Sequence, residues 1–203
     1  LLSLMGLPFV EAPSEGEAQC AQMAKAGVAT AAASQDMDAL LFAAPVLLKN
    51  ITISGKRKLP RKNVYVDVFP EKFVLQENLD ALGITQEKLI WIGLMCGTDF
   101  NEGVHGIGAK KGLKLVKELN SFDAILEKLN QSMDWQPVFD LFAQPNVKQV
   151  DKSELVFKDL RKDELIDFMH VQRDFSLTRI EGSLEKAYSL PGDSNQSNLK
   201  KWF

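Results

Sequence analysis

Residues 28–48 read Val28-Ala29-Thr30-Ala31-Ala32-Ala33-Ser34-Gln35-Asp36-Met37-Asp38-Ala39-Leu40-Leu41-Phe42-Ala43-Ala44-Pro45-Val46-Leu47-Leu48. A small apolar run, a polar acidic turn, a short helical stretch and a second apolar run follow one another. That order predicts a strand over 30–34, a short helix near 36–42 and a strand over 46–48. Working outward, Pro8-Phe9-Val10 reads as a further strand and residues 15–26 as a helix. Strand and helix therefore alternate to about residue 50, which implies an α/β core with a largely parallel sheet. Ligands of such sheets gather at the carboxyl ends of the strands.

Downstream, residues 51–69 read as a polar hairpin or meander, with Asn63-Val64-Tyr65-Val66-Asp67-Val68 alternating at period two. From Pro70 onward the pattern is helical, with helices expected over 71–82, 85–96, 109–119, 121–129, 135–143 and 162–169. After Ile180 the chain turns polar and rich in Gly, Ser and Asn, the composition of a mobile tail.

Five acidic residues stand out: Glu15-x-Glu17, Asp36-x-Asp38 and Asp99. Both pairs fall at expected junctions into helices, at the strand ends. Clustered carboxylates supply the hard oxygen ligands that Mg²⁺ prefers. A bound divalent cation in turn offsets the charge of a phosphodiester under attack by water. Helix capping competes with this interpretation. Ser14-Glu15-Gly16-Glu17 fits a capping box with Ser14 as N-cap and Glu17 reaching back, although that leaves Glu15 unexplained. Ser34 or Asp36 could likewise cap the next helix.

Composition bounds the protein without finding its activity. At 203 residues and 45% hydrophobic content the chain can bury a sizeable core as one or two domains. A net charge of −3 does not advertise a nucleic-acid binder. A carboxylate site lowers that total, so the placement of basic residues matters more. Cys20 and Cys96 have no zinc spacing and read as buried free thiols of a reducing compartment. No apolar run nears the ~20 residues of a membrane span and no secretory signal is visible, so an intracellular, cytoplasmic protein is expected. The chain starts with Leu1-Leu2 inside an apolar segment that feeds the Gly6-Leu7-Pro8 turn, and it reads as cut from a larger protein.

Leu4-Met5-Gly6-Leu7-Pro8, Ala12-Pro13-Ser14-Glu15-Gly16-Glu17-Ala18-Gln19, Ser34-Gln35-Asp36-Met37-Asp38-Ala39-Leu40-Leu41-Phe42 and Gly97-Thr98-Asp99-Phe100 resemble the flap endonuclease family. Gly55-Lys56-Arg57-Lys58-Leu59-Pro60 is similar to its archaeal branch. The resemblance implies a partial PIN-like, resolvase-like parallel-sheet nuclease core in residues 1–69. It implies a helical DNA-binding region with a helix-two-turn-helix in 70–180, ahead of the flexible tail that composition places in 181–203. By the same resemblance Glu15, Glu17, Asp36 and Asp38 are catalytic ligands of two Mg²⁺ ions, and Asp99 contributes partly through water. The family cuts 5′ flaps from branched DNA in replication and repair. The family's N-terminal strand, further aspartates and helical arch have no counterpart here, so the N-terminal half of the nuclease is expected to be required.

Gly103-Val104-His105-Gly106-Ile107-Gly108-Ala109-Lys110-Lys111-Gly112-Leu113 lies between two expected helices. Gly106 and Gly108 let the backbone turn close to a phosphate, and the following helix offers amides at its positive end. Lys110, Lys114 and Lys117 share a helix face beside Lys111; a solvated lysine face is the alternative. The Gly-Ile-Gly turn resembles the family's helix-two-turn-helix, which implies a K⁺ or other monovalent cation and a grip on the DNA backbone. His105 reads as an ordinary loop residue. Lys56-Arg57-Lys58 with Arg61-Lys62 is either an exposed charged loop or a DNA contact. Phe175-Ser176-Leu177-Thr178-Arg179-Ile180 resembles a family segment whose arginine lies near the unpaired 3′ nucleotide, which singles out Arg179; a surface salt bridge is the alternative.

Gln196-Ser197-Asn198-Leu199-Lys200-Lys201-Trp202-Phe203 resembles the motif that docks on the sliding clamp, PCNA. Leu199, Trp202 and Phe203 would form a hydrophobic plug and Gln196 would fill a polar pocket, since aromatic anchors dominate small interfaces. The expected activity is thus that of a Mg²⁺-dependent, structure-specific 5′ flap endonuclease. The alternatives are a 5′ exonuclease on nicked or gapped DNA and a clamp-tethered DNA-binding module without catalysis of its own.

Overall fold

A computed structural model describes residues 1–51, 55–58 and 63–188. By Cα proximity the chain divides into two compact units: residues 12–150, and residues 1–11 grouped with the chain from 151 onward.

In the 12–150 unit, helix α1 (Gly16–Lys25) leads to strand β1 (Ala32–Ala33), helix α2 (Asp38–Leu41) and strand β2 (Val46–Lys49). β1 pairs with β2 in parallel, Ala32 opposite Leu47 and Ala33 opposite Leu48. The α/β class expected from the alternation of elements is therefore borne out. Ala18 and Ala21 on α1 and Ala32 on β1 are almost fully buried, and their small side chains let helix and strand approach closely. Cys20 lies between the buried Gln19 and Ala21 but faces outward. Both cysteines are free as expected, yet both are exposed rather than buried.

Strands β3 (Gly55–Lys58) and β4 (Tyr65–Val68) form the expected hairpin, with Lys58 opposite Tyr65. The next segment departs from expectation. Residues 71–74, assigned to a helix on sequence, form strand β5 (Glu71–Val74), antiparallel to β2, with Phe73 opposite Leu47. The pairing with β2 decides the state of these four residues, because a short segment follows its tertiary neighbours over its own propensity. The three-stranded sheet, ordered β1-β2-β5, thus joins one parallel and one antiparallel pair.

Helices α3 (Leu75–Leu82), α4 (Gln86–Cys96), α5 (Ala109–Glu118), α6 (Phe122–Lys128) and α7 (Gln136–Ala143) follow. Thr85 and Ser121 cap α4 and α6, their hydroxyls accepting from the Lys88 and Ala124 amides. Leu47, Leu94, Met95, Val116, Phe122, Ile125 and Phe142 are the buried centre of this unit. Gln19, 3% exposed, spans from α1 to the backbone of Lys148. Its Nε2 donates to the Lys148 carbonyl at 2.9 Å and its Oε1 accepts the Lys148 amide at 2.8 Å.

In the other unit, residues 7–10 run without strand pairing, so the strand expected at Pro8-Phe9-Val10 does not form. The preceding turn instead meets residues 158–161: Lys158 N donates to Gly6 O at 2.8 Å and Arg161 N to Leu4 O at 2.9 Å. Helix α8 (Lys162–Ile166) continues into a π-helical turn over Asp167–Val171, shorter as an α-helix than the expected 162–169. Helix α9 (Leu177–Tyr188) runs through the point where a tail was expected to begin at 181. Ile180 and Leu184, four apart on one face, are buried with Leu165, and Leu4 and Met5 pack against them.

Among the described residues, no helix is long and apolar enough to cross a membrane.

Candidate functional site

No acidic side chain of the two pairs caps a helix. The N-cap of α1 is Glu15, through its backbone and without a side-chain bond, so the capping box expected from Ser14 and Glu17 does not form. The N-cap of α2 is Met37, also without a side-chain bond, so neither Ser34 nor Asp36 caps that helix. The Glu17 carboxylate instead accepts a hydrogen bond from the Ser34 hydroxyl. The same hydroxyl oxygen accepts the Asp36 amide at 3.1 Å, a side-chain turn that closes the loop after β1.

Asp38, half-buried at the start of α2, reports on its neighbours. Burial raises its carboxyl above the ordinary aspartate range, and the charges of Glu17, Asp99 and Asp36 raise it further. Residues from α1, the β1–α2 loop and the α4–α5 loop thus share one negative field. The ion pairs between described residues lie elsewhere, Lys114 and Lys128 on Glu118 and Arg161 on Glu164.

Asp99 sits on a braced loop. Thr98 and Asn101 on either side of it pair by backbone bonds of 2.9 and 3.3 Å, and Thr98 Oγ1 donates to Asn101 Oδ1 at 2.8 Å. Asn101 Nδ2 ties the loop to the Leu94 carbonyl of α4 at 2.7 Å. Phe100 packs edge-on against Phe142 with ring centroids 5.6 Å apart. Gly103 closes the loop at φ 77°, where a Cβ would stand 2.5 Å from the Gly97 nitrogen, so only glycine fits.

The chemistry of this donor set fits a hard divalent cation, being all carboxylate, with no ion pair among the described residues to neutralise it. Its geometry is open: among the described residues no three acidic, cysteine or histidine side chains close on one point. Ser34, Thr98 and Asn101 escaped the sequence reading as members of the site. A polar residue directly after a strand, within an acidic turn, was the only signal for Ser34.

In the α4–α5 loop, Val104 N donates to Met95 O at 2.8 Å and Ile107 N to Val104 O at 3.0 Å. Gly106 turns the chain at φ 74°, and Gly108 is the N-cap of α5, whose first turn holds no acidic residue. Lys110 is exposed. Lys111 is exposed too, but its Nζ donates to the Gly106 carbonyl at 2.9 Å. Lys114 leans on Glu118 at 3.7 Å, which divides its charge. Gly112, Leu115 and Val116 form the opposite, buried face of the helix. His105 is exposed.

Arg179 lies in the other unit, in the first turn of α9. It lines an apolar recess of about 300 Å³ with Met5, Leu165, Met169, Phe175 and Ile180. It is exposed, and it is absent from the ion pairs between described residues. Gln196, Leu199, Trp202 and Phe203 lie outside the described residues, as do Arg61 and Lys62.

Residues 6–99 match the XPG I-region family model. The chain is 46% identical over 204 residues to flap endonuclease 1 of Archaeoglobus fulgidus, an alignment that takes in 100% of this chain and 60% of that protein. The chain therefore spans about three fifths of that relative's length. Among solved structures, flap endonuclease-1 from Methanococcus jannaschii superposes with a TM-score of 0.74 at 36% identity, covering 93% of this chain and 55% of that one. The Holliday junction-resolving enzyme GEN1, solved with product DNA and a Mg²⁺ ion, shares the fold with a TM-score of 0.61 at 20% identity, covering 91% of this chain and 52% of that one.

Proposed function

We propose that the chain, similar along its whole length to archaeal flap endonuclease 1, supplies the C-terminal part of a metal-dependent nuclease that cuts 5′ flaps from branched DNA. The observation that carries this reading is the shared field of Glu17, Asp36, Asp38 and Asp99, four carboxylates free of capping and of ion pairs among the described residues.

Glu15, Glu17, Asp36 and Asp38 would hold Mg²⁺, with Asp99 contributing partly through water. When bound, two such ions supply Lewis acidity toward the phosphoryl oxygens and the positive charge that lets water attack near neutral pH. The part of the relatives that this chain does not span would complete the ligand set, which agrees with carboxylates that do not close by themselves. The chain's own task at this end is to place the carboxylates and to keep Asp99 rigid on its braced loop.

Gly106 and Gly108, with Lys110 and the α5 amides, would hold the duplex by its phosphates and so place it without reading sequence. Lys111 and Lys114 are partly engaged within the protein and would add charge around that grip, where a monovalent cation such as K⁺ would also bind. Arg179 would meet DNA from the other unit. The Gln196–Phe203 motif would tether the enzyme to the sliding clamp PCNA.

The open geometry favours a second reading, a clamp-tethered DNA-binding module without catalysis of its own. One experiment separates the two. In the assembled nuclease, this chain completed by the part of its relatives it does not span, Asp36→Ala with Asp38→Ala should abolish Mg²⁺-dependent flap cleavage. Binding to the same flap substrate should change by no more than about twofold, because phosphate contacts and not the acidic pairs carry it. Cleavage that survives the double substitution sinks the metal-site assignment. Absence of cleavage by the unsubstituted assembly favours the binding module.

A further inference from the structure

We propose that Ser34 is a positioning residue of the acidic site: its hydroxyl joins the two acidic pairs and holds the Glu17 carboxylate in the orientation that receives a divalent cation. The inference rests on the metal-site reading and deepens it by naming a residue outside the carboxylate set.

A serine hydroxyl has one hydrogen to donate and lone pairs to accept with. Ser34 uses both capacities on the site itself. The hydrogen goes to Glu17 on α1, and the oxygen accepts the Asp36 amide at 3.1 Å. The backbone of Ser34 is fixed in turn, since its amide donates to the Leu48 carbonyl of β2 at 3.2 Å and so prolongs the β1–β2 ladder by one residue. The hydroxyl is therefore anchored to the sheet, and through it the first turn of α1 is registered against the acidic turn 17 residues later.

Glu17 has a specific need for such a hold. Its carboxylate faces the charge of Asp38, and no cation among the ion pairs of the described residues steadies it. Like charges at short range repel, and a glutamate has free torsions through which to swing away. A donated hydrogen bond resists that motion and lowers the reorganisation that cation binding would otherwise demand. Partners of this kind behind metal ligands are typically worth about 10- to 100-fold in affinity.

The test is a Mn²⁺ titration by calorimetry of the assembled nuclease, this chain completed by the part of its relatives it does not span, comparing the wild type with Ser34→Ala, Ser34→Thr and Asp36→Ala/Asp38→Ala, alongside metal-free melting temperatures. The expected result is an affinity for Mn²⁺ about 10-fold weaker in Ser34→Ala. Its metal-free melting temperature should match the wild type, and Ser34→Thr, which keeps the hydroxyl, should restore affinity. Wild-type affinity in Ser34→Ala, with binding still lost in the aspartate double variant, overturns the role of Ser34 and leaves the metal site standing. So does a Ser34→Ala chain whose weaker binding is matched by a lowered metal-free melting temperature and is not restored by threonine. Failure of the wild type to bind Mn²⁺, or binding unaffected by the aspartate double variant, overturns the metal-site reading and the role of Ser34 with it.

Discussion

Asp38 carries a cost in the metal-free protein that can be read as a dependence of stability on pH. Its folded-state pKa lies above the ordinary value of 3.8, through burial first and then the charges of Glu17, Asp99 and Asp36. Between the two values the folded state binds more protons than the unfolded state, so stability falls as pH rises through that window. Asp38→Asn removes the charge that causes the loss. Thermal melts without divalent metal should therefore show the variant gaining on the wild type from acid toward neutral pH, with no gap opening below the ordinary aspartate value. Mg²⁺ should narrow the difference at neutral pH by offsetting the same repulsion. A gap that is independent of pH would contradict the crowding of charge around Asp38. The acidic residues themselves were legible in the sequence, because paired carboxylates at strand ends form a pattern. What joins them was not. Glu17 and Ser34 are 17 positions apart, and no local spacing announces that a hydroxyl after a two-residue strand will face the first turn of an earlier helix.

The α4–α5 loop is the element on which two proposed functions meet, and it makes two predictions. Gly103→Ala places a Cβ 2.5 Å from the Gly97 nitrogen at a φ of 77°, a contact that neither backbone can relieve without moving the Asp99 loop. Strained backbone positions of this kind cost roughly 1–3 kcal/mol each. The variant should lose at least ~2 kcal/mol of stability and, in the assembled nuclease, cleavage out of proportion to DNA binding. Unchanged denaturant midpoints would show the loop to be softer than its close packing implies. At the other end of the loop, Lys110→Ala with Lys111→Ala should weaken binding alike for unrelated DNA sequences. The salt slope should flatten by about one counterion per lost phosphate contact. The parking of Lys111 on Gly106 implies a smaller share for Lys111 than for Lys110. An unaltered slope would return both lysines to a solvated face. The helices around this loop were legible, expected over 85–96 and 109–119 and found as Gln86–Cys96 and Ala109–Glu118. β5 was not, since its four residues take their state from β2. Nor was α9, since its polar composition hides two buried residues four apart, Ile180 and Leu184.

Across the whole molecule, the sequence order misleads about which segments belong together. Leu4 and Met5 were read with the α/β core that follows them, yet they pack against residues more than 150 positions downstream. The 69/70 boundary drawn from the change to helical pattern falls inside the 12–150 unit, between β4 and β5. Such groupings rest on contacts between distant segments, which periodicity does not encode. The same long reach governs residues 145–150, which have neither helix nor strand, because Gln19 grips both backbone groups of Lys148 from 129 positions away. In deuterium oxide the Lys148 amide should accordingly exchange on the slow clock of the helices around it, while the amides beside it run fast. Gln19→Ala should release Lys148 to its neighbours' rate; a Lys148 amide already fast in the wild type would mean that the clamp opens freely. A stretch that looks like loop by every local measure would then keep time with the core.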